Sequence, residues 1–293
     1  MRRTLVFAAL ALLPACLPAE LFHVRTLPLA PGFTFLRGGG GNSVVLVRGE
    51  RALVFDAKMW PFGEEVARVV AAAGATPEFL VDSHLHFDHT GANDLELAQG
   101  AILVAAESTL AFLASDRVGR IAPVFGGAPW LPVHRRVTLE VEGEPVEVVH
   151  PAAAHTDGDV YAWFPDERTL ATGDLYTAGF YPHVDPLHGG TMLGLLAALD
   201  ELCRYPATRV LPGHGPAASR ADLVAYRDFL RSLRDEVLRR RGRGESDEAI
   251  VRAMIAPRGE PYRNLGGFSS RADVVRRLVD ETRVSARGSA SAR

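Results

Sequence analysis

The stretch Ser83-His84-Leu85-His86-Phe87-Asp88-His89-Thr90-Gly91-Ala92-Asn93 constrains this chain more than any other. Three histidines and one carboxylate fall within the six positions 84 to 89. The whole chain holds 10 His in 293 residues, so composition alone would put roughly 0.2 of a histidine in such a window. Imidazole and carboxylate together suit Zn²⁺, Fe or Mn. The apolar run 78–83 reads as a strand that ends at the motif, and the residues from Thr90 onward read as a helix start. A fold built on this stretch must bring further ligands to the point where a strand gives way to a helix.

Three later positions offer them. His155, Asp174 (in Thr172-Gly173-Asp174) and His214 (in Pro212-Gly213-His214-Gly215) each follow a strand-like run. The glycines beside Asp174 and His214 permit close backbone approach. His23, His134 and His150 have no comparable setting and read as structural or exposed. His183 and His188 follow the Asp174 strand by a short loop, so they could overhang the site as substrate-facing residues, as could Tyr176. No nucleophile–histidine arrangement competes. Ser43 and Ser83 precede no recognisable elbow, and Cys203 sits in an apolar helical pattern.

The chain begins with a basic Met1-Arg2-Arg3, an apolar stretch from Thr4 to Leu13 too short to span a bilayer, and small residues up to Ala19. This reads as a signal peptide over residues 1–19. Leu13-Pro14-Ala15-Cys16 also resembles a lipobox, which would end the leader at 15 and put a lipid anchor on Cys16. The expectation is an exported protein, periplasmic or lipid-anchored to the cell envelope, with no other hold on a membrane. With Cys16 in the leader, Cys203 has no disulfide partner. A net charge of −3 gives no reason to expect nucleic acid as a partner. The expected partner is a small-molecule substrate, and nothing in the sequence speaks to oligomeric state.

Hydrophobic periodicity predicts strands at 33–37, 44–48, 52–57, 79–83, 101–105, 137–141, 146–150, 160–164, 169–172 and 209–211. It predicts helices at 63–73, 107–115, 189–205, 219–242, 246–256 and 269–285. Gly38 to Gly41 reads as a plain loop, because no Lys-Ser/Thr follows and the next element is a strand. Residues 118–132, rich in Gly, Pro and aromatics, read as a long binding loop. With no convincing linker, residues 20–285 read as one α/β domain, followed by a disordered tail at 286–293.

The order His-x-His-x-Asp-His, a distant His before Thr-x-Gly, Gly-Asp and Pro-Gly-His-Gly resembles the metallo-β-lactamase fold superfamily. The four motifs span residues 84 to 214. The resemblance implies an αββα four-layer sandwich of two mixed β-sheets flanked by helices, with metal between the sheets at one edge. It implies two Zn²⁺ per chain, Fe or Mn being alternatives. His84, His86 and His155 would hold the first, Asp88, His89 and His214 the second, and Asp174 would bridge them. It further implies a metallo-hydrolase in which a metal-bridging hydroxide attacks an ester, thioester, lactone or lactam carbonyl, with Asp88 orienting the nucleophile and handling its proton.

Within the superfamily, the site motifs lack the Cys of one β-lactamase subclass and keep the Asp174 that another lacks. Glyoxalase II resembles this chain in all seven ligands, but its glutathione-binding basic cluster is not evident. In acyl-homoserine lactonases a Tyr comes three residues after the bridging Asp; here Tyr176 comes two after. Residues 174–230 are most similar to exported bacterial members found beside sulfur-oxidation or quinoprotein systems. Two other classes stay open: an iron-dependent oxidoreductase similar to persulfide dioxygenases, and a non-catalytic metal-binding module.

Overall fold

The computed structural model describes residues 23–115, 127–256, 259–264 and 269–290. The expected leader with Cys16, residues 118–126 of the expected long loop and the last three residues of the expected tail lie outside the described residues. The strands are β1 (Arg25–Ala30), β2 (Phe33–Arg37), β3 (Ser43–Arg48), β4 (Arg51–Phe55), β5 (Thr76–Val81), β6 (Ile102–Ala105), β7 (Trp130–Pro132), β8 (Arg136–Val141), β9 (Glu144–Val149), β10 (Tyr161–Phe164), β11 (Thr169–Ala171) and β12 (Arg209–Leu211). The helices are α1 (Gly63–Ala72), the single turns α2 (Phe87–Thr90) and α3 (Asp94–Leu97), α4 (Glu107–Ala114), α5 (Met192–Leu202), α6 (Arg220–Gly242), α7 (Asp247–Met254) and α8 (Arg271–Ala290).

Two sheets result. One holds seven strands in the order β1 to β7, and the other holds five in the order β12-β11-β10-β9-β8. Both are mixed: β1 to β4 pair antiparallel and β4 to β7 parallel, while β11 and β12 form the parallel pair of the second sheet.

Strand periodicity sorts side chains into layers. Val44, Leu46, Leu53, Phe55, Val81 and Val104 point from the first sheet toward Val146, Val148, Ala162, Phe164 and Leu211 of the second. The alternate residues Val45, Val54, Leu80 and Leu103 face Val66 and Val70 of α1 and Leu110 and Leu113 of α4. On the outer side, Tyr161, Leu170 and Val210 pack under Leu195 and Leu199 of α5, Leu223 and Leu230 of α6, and Leu278 of α8. Helices therefore cover both outer faces, giving the αββα order. Phe33 of β2 and Phe164 of β10 meet between the two sheets, with ring centroids 5.1 Å apart.

Local signals set the element ends. Gly74, at φ +72°, ends α1 with its N–H on Ala71 O, while Ala75 N–H reaches back to Val70 O. Ser219 and Asp222 form a reciprocal capping box at the start of α6. Thr191 caps α5, so that helix starts three residues later than the periodicity suggests.

Several elements differ from expectation. β1 was not anticipated; it is an exposed edge strand containing Pro28, and such a strand lacks the alternating burial that periodicity detects. The end of the expected long loop forms edge strand β7, paired with β6 through Leu103 and Trp130. The helix expected from Thr90 begins at Phe87, inside the motif, and α8 runs to Ala290, into the segment expected to be a disordered tail.

Candidate metal centre

Five loops converge where strands of the two sheets end. Asp56 follows β4, Ser83 to His89 follow β5, His155 follows β9, Asp174 follows β11, and His214 follows β12. Main-chain bonds tie the loops together. Ala57 N–H donates to His89 O, Val160 N–H to Ser83 O, and Gly213 N–H to Gly173 O, at 2.8, 2.6 and 2.8 Å. The α2 turn explains the motif's spacing. Asp88 and His89 lie on one helical turn, His86 is the extended residue just before it, and His84 sits in the bend that follows β5.

His84, His86 and His155 form one cluster. His84 Nε2 and His155 Nε2 each lie 3.0 Å from His86 Nδ1. The opposite nitrogen of each ring has its own partner. His84 Nδ1 meets Ser83 Oγ at 2.9 Å, His86 Nε2 donates to Asp185 Oδ2 at 3.0 Å, and His155 Nδ1 donates to His183 O at 2.9 Å. Ser83 Oγ–H is itself directed to Asp56 Oδ2, so it accepts from His84. These bonds place each proton on the outer nitrogen, leaving three lone pairs that converge on one point. Burial and the neighbouring imidazoles hold His84 well below its ordinary value. Burial with the nearby His86 brings His155 down to about 4, against the opposing pull of Asp174. Both are neutral imidazoles, the form that binds metal.

Asp88, His89 and His214 form a second cluster. His89 Nδ1 donates to Asp56 Oδ2 at 2.7 Å, which turns Nε2 inward, 3.5 Å from Asp174 Oδ1 and 3.7 Å from Asp88 Oδ2. His214 Nε2 lies 3.2 Å from Asp88 Oδ2 and 3.5 Å from Asp174 Oδ2. Asp174 Oδ2 is also 3.8 Å from His155 Nε2, so this carboxylate faces both clusters. Burial alone would raise Asp88 and Asp174, but His89 and His214 outweigh it and hold both carboxyls below the ordinary range. Burial likewise opposes protonation of His214, yet Asp174 and Asp88 lift it to about 9. The cluster is therefore a place that calls for positive charge.

Two buried atoms, His89 Nε2 and Asp174 Oδ1, have no hydrogen-bond partner. Leaving such groups unmatched costs about 1–3 kcal/mol each. A cation satisfies both, and it satisfies the converging imidazole lone pairs of the first cluster. The donor set of nitrogen and carboxylate oxygen fits Zn²⁺ or a similar divalent ion. Gly213 is required beside it: a Cβ there would lie 2.1 Å from Asp174 Oδ1.

The three residues expected to face substrate separate. Tyr176 does not face the site. It is 3% exposed and packs edge-to-face on Tyr226, ring centroids 4.9 Å apart, because the chain after the Gly173–Leu175 turn passes beneath α6. His188 donates from Nδ1 to Asp185 Oδ2 at 2.6 Å and so shares the carboxylate that orients His86. His183 is half-buried, with its ring 5.6 Å from that of His155, and it lines a cavity of about 320 Å³ with Pro182, Met192 and Arg277.

Sequence reasoning missed Asp56, Lys58 and Asp185. Asp56 accepts from Ser83 N–H, Ser83 Oγ–H and His89 Nδ1–H. Lys58 is fully buried two residues on, and burial brings its ammonium down to about 7 against the pull of Asp56 and Asp88. The available signal was a pair of charged residues, Asp56 and Lys58, directly after an apolar strand and before Met59-Trp60.

Known proteins show the same fold. The family model described as the metallo-beta-lactamase superfamily matches residues 36–214. A probable metallo-hydrolase, YqgX of Bacillus subtilis (strain 168), is 27% identical over 185 residues, covering 60% of this chain and 85% of that protein. The crystal structure of the DIM-1 metallo-beta-lactamase superposes with a TM-score of 0.58 at 21% identity, over 70% of this chain and 96% of that one. The stereoselective inverting sec-alkylsulfatase Pisa1 from Pseudomonas sp. superposes with a TM-score of 0.70 at 14% identity, over 88% of this chain and half of that one.

Proposed function

Because the chain belongs to the metallo-beta-lactamase superfamily, we propose that it is a hydrolase dependent on two divalent metal ions, most simply Zn²⁺, acting on the carbonyl of a small ester, thioester, lactone or lactam. The observation that carries this reading is the pair of clusters on either side of Asp174, with His89 Nε2 and Asp174 Oδ1 buried between them without a hydrogen-bond partner. His84, His86 and His155 would hold one ion, Asp88, His89 and His214 the other, with Asp174 between them. Metal bound there supplies Lewis acidity toward a substrate oxygen and a water acidic enough to be deprotonated near neutral pH.

The chain's own groups do the rest. Asp88 is the more open of the two site carboxylates, its side chain 35% exposed against 7% for Asp174. Held ionised by His89 and His214, it can accept a proton at Oδ2 and pass it outward. Asp185 and Asp56 fix the rings of His86 and His89, so the ligand nitrogens need no rearrangement when substrate arrives. Phe87 and Leu187, 50% and 90% exposed, stand beside Asp88 and His188 and offer apolar contact to the organic part of a substrate. The complete second cluster favours a two-ion hydrolase over a single-iron oxidoreductase, for which the first three histidines and Asp174 would suffice.

Metal analysis together with a panel of nitrocefin, S-lactoylglutathione, a homoserine lactone and a phosphodiester tests the reading. The expected result is close to two zinc ions per chain and turnover of at least one carbonyl substrate, abolished in Asp88→Asn with the fold retained. Two zinc ions with no turnover on any of them would overturn the hydrolase assignment.

A further inference from the structure

Lys58 has no role in the chemistry above, yet its side chain is 0% exposed. Its Nζ donates to Leu36 O at 2.9 Å, Gly38 O at 2.6 Å and Gly41 O at 2.8 Å. Three carbonyl acceptors match the three donors of an ammonium. The residue also holds φ +68°, and Asp56 nearby holds φ +63°. Two non-glycine residues in the left-handed region within three positions are strained and persist only where their surroundings over-determine them. Here the bonds of Lys58 and the three made by Asp56 do so.

The loop that Lys58 gathers, residues 38–42, bears directly on Asp88 and His89 and on the residues that flank His214. Gly41 N–H donates to Asp88 O at 2.9 Å. A Cβ on Gly41 would lie 2.4 Å from His89 Cε1, so the loop backbone rests directly on that ring. The planar trans peptide points Asn42 N–H opposite to the Gly41 carbonyl held by Lys58, and that N–H donates to Gly213 O at 2.8 Å. Asn42 Nδ2 donates to Pro212 O at 2.8 Å and Gly215 O at 3.0 Å, on both sides of His214. Among the hydrogen bonds of the described residues, none runs from this loop to His84, His86 or His155.

We propose that Lys58 is a positioning residue for the second metal alone: it holds the 38–42 loop against Asp88, His89 and His214 and thereby sets the affinity of that half of the centre. The inference rests on the two-ion reading above. The glycine run is then a braced wall of the metal centre, with its carbonyls turned toward a buried cation.

The test is a Zn²⁺ titration of the full chain against a chromophoric chelator, with Co²⁺ absorption as an independent readout of ligand geometry. Wild type should take up two ions. Lys58→Met should keep the first with unchanged affinity and bind the second roughly 10–100-fold more weakly. Asn42→Ala, which leaves the buried ammonium in place and cuts the loop's bonds around His214, should show the same selective loss. It decides the matter should Lys58→Met fail to fold. Folded variants that bind both ions as wild type does, or that weaken both equally, would overturn the assignment. A wild type that binds only one ion would instead overturn the two-ion reading.

Discussion

Replacing Asp56 with Asn tests how the two clusters are held together. The carboxylate accepts three hydrogen bonds: Ser83 N–H at 2.7 Å on Oδ1, then Ser83 Oγ–H at 2.8 Å and His89 Nδ1–H at 2.7 Å on Oδ2. An amide can be placed two ways. With its oxygen at the Oδ2 position, its NH₂ meets the Ser83 N–H, donor against donor in a buried site. With its oxygen at the Oδ1 position, its NH₂ points at His89 Nδ1 and Ser83 Oγ. His89 must then carry its proton on Nε2, the atom that faces Asp88 and Asp174, and Ser83 Oγ must donate to His84 Nδ1. Both ligand rings would be left with the wrong nitrogen protonated. An unmatched buried donor costs about 1–3 kcal/mol, and each 1.4 kcal/mol is tenfold in affinity. Asp56→Asn should therefore weaken zinc at the second cluster roughly 10–100-fold, with a smaller loss at the first. Chelator competition measures the affinities, and ¹⁵N shifts of the imidazoles report the tautomers. A variant that binds two ions as tightly as wild type, with His89 still protonated on Nδ1, would refute the reasoning.

Asp185→Asn should mirror this at the first cluster, lowering zinc affinity there about tenfold or more, because one oxygen accepts from both His86 and His188; the same titration checks it. The pH dependence has a definite sign. In metal-free protein His214 is lifted from 6.5 to about 9, so its stabilising contribution is complete below pH 6.5 and is lost as pH rises through 9. Urea melts of chelator-treated protein should weaken across that window, while zinc affinity at the second cluster rises as the imidazole is freed; stability that climbs with pH there would contradict the assignment. Phe164→Ala should cost about 3–5 kcal/mol in urea unfolding, since this fully buried ring joins the two sheets. A loss below 1 kcal/mol would mean the sheets do not share one core.

The sequence alone determined which side chains are candidates for holding metal. His84, His86, Asp88, His89, His155, Asp174 and His214, which the fold gathers into neighbouring groups, stood out as candidates because they fall in a dense motif or in the stretches that follow strand-like runs, where apolar periodicity gives way to Gly, Pro and polar residues. The central strands and the helices were legible for the same reason: buried faces print a period of 2 or 3.6. Edge strands β1 and β7 print none, because they are partly exposed and held mainly by backbone pairing.

Tertiary structure alone decided what holds the ligands in place. Asp56 meets His89 across 33 residues and Asp185 meets His86 across 99, and a lone aspartate after a strand looks like any turn residue until its partner arrives. Tyr176 looked accessible from its place beside Asp174, but the packing of α6 buries it. Lys58 reads as a surface charge until three carbonyls of a glycine loop close on it. The candidate ligand set is inscribed in short motifs because coordination needs particular atoms. The order imposed on those atoms comes from buried hydrogen bonds between distant segments, which no local pattern records.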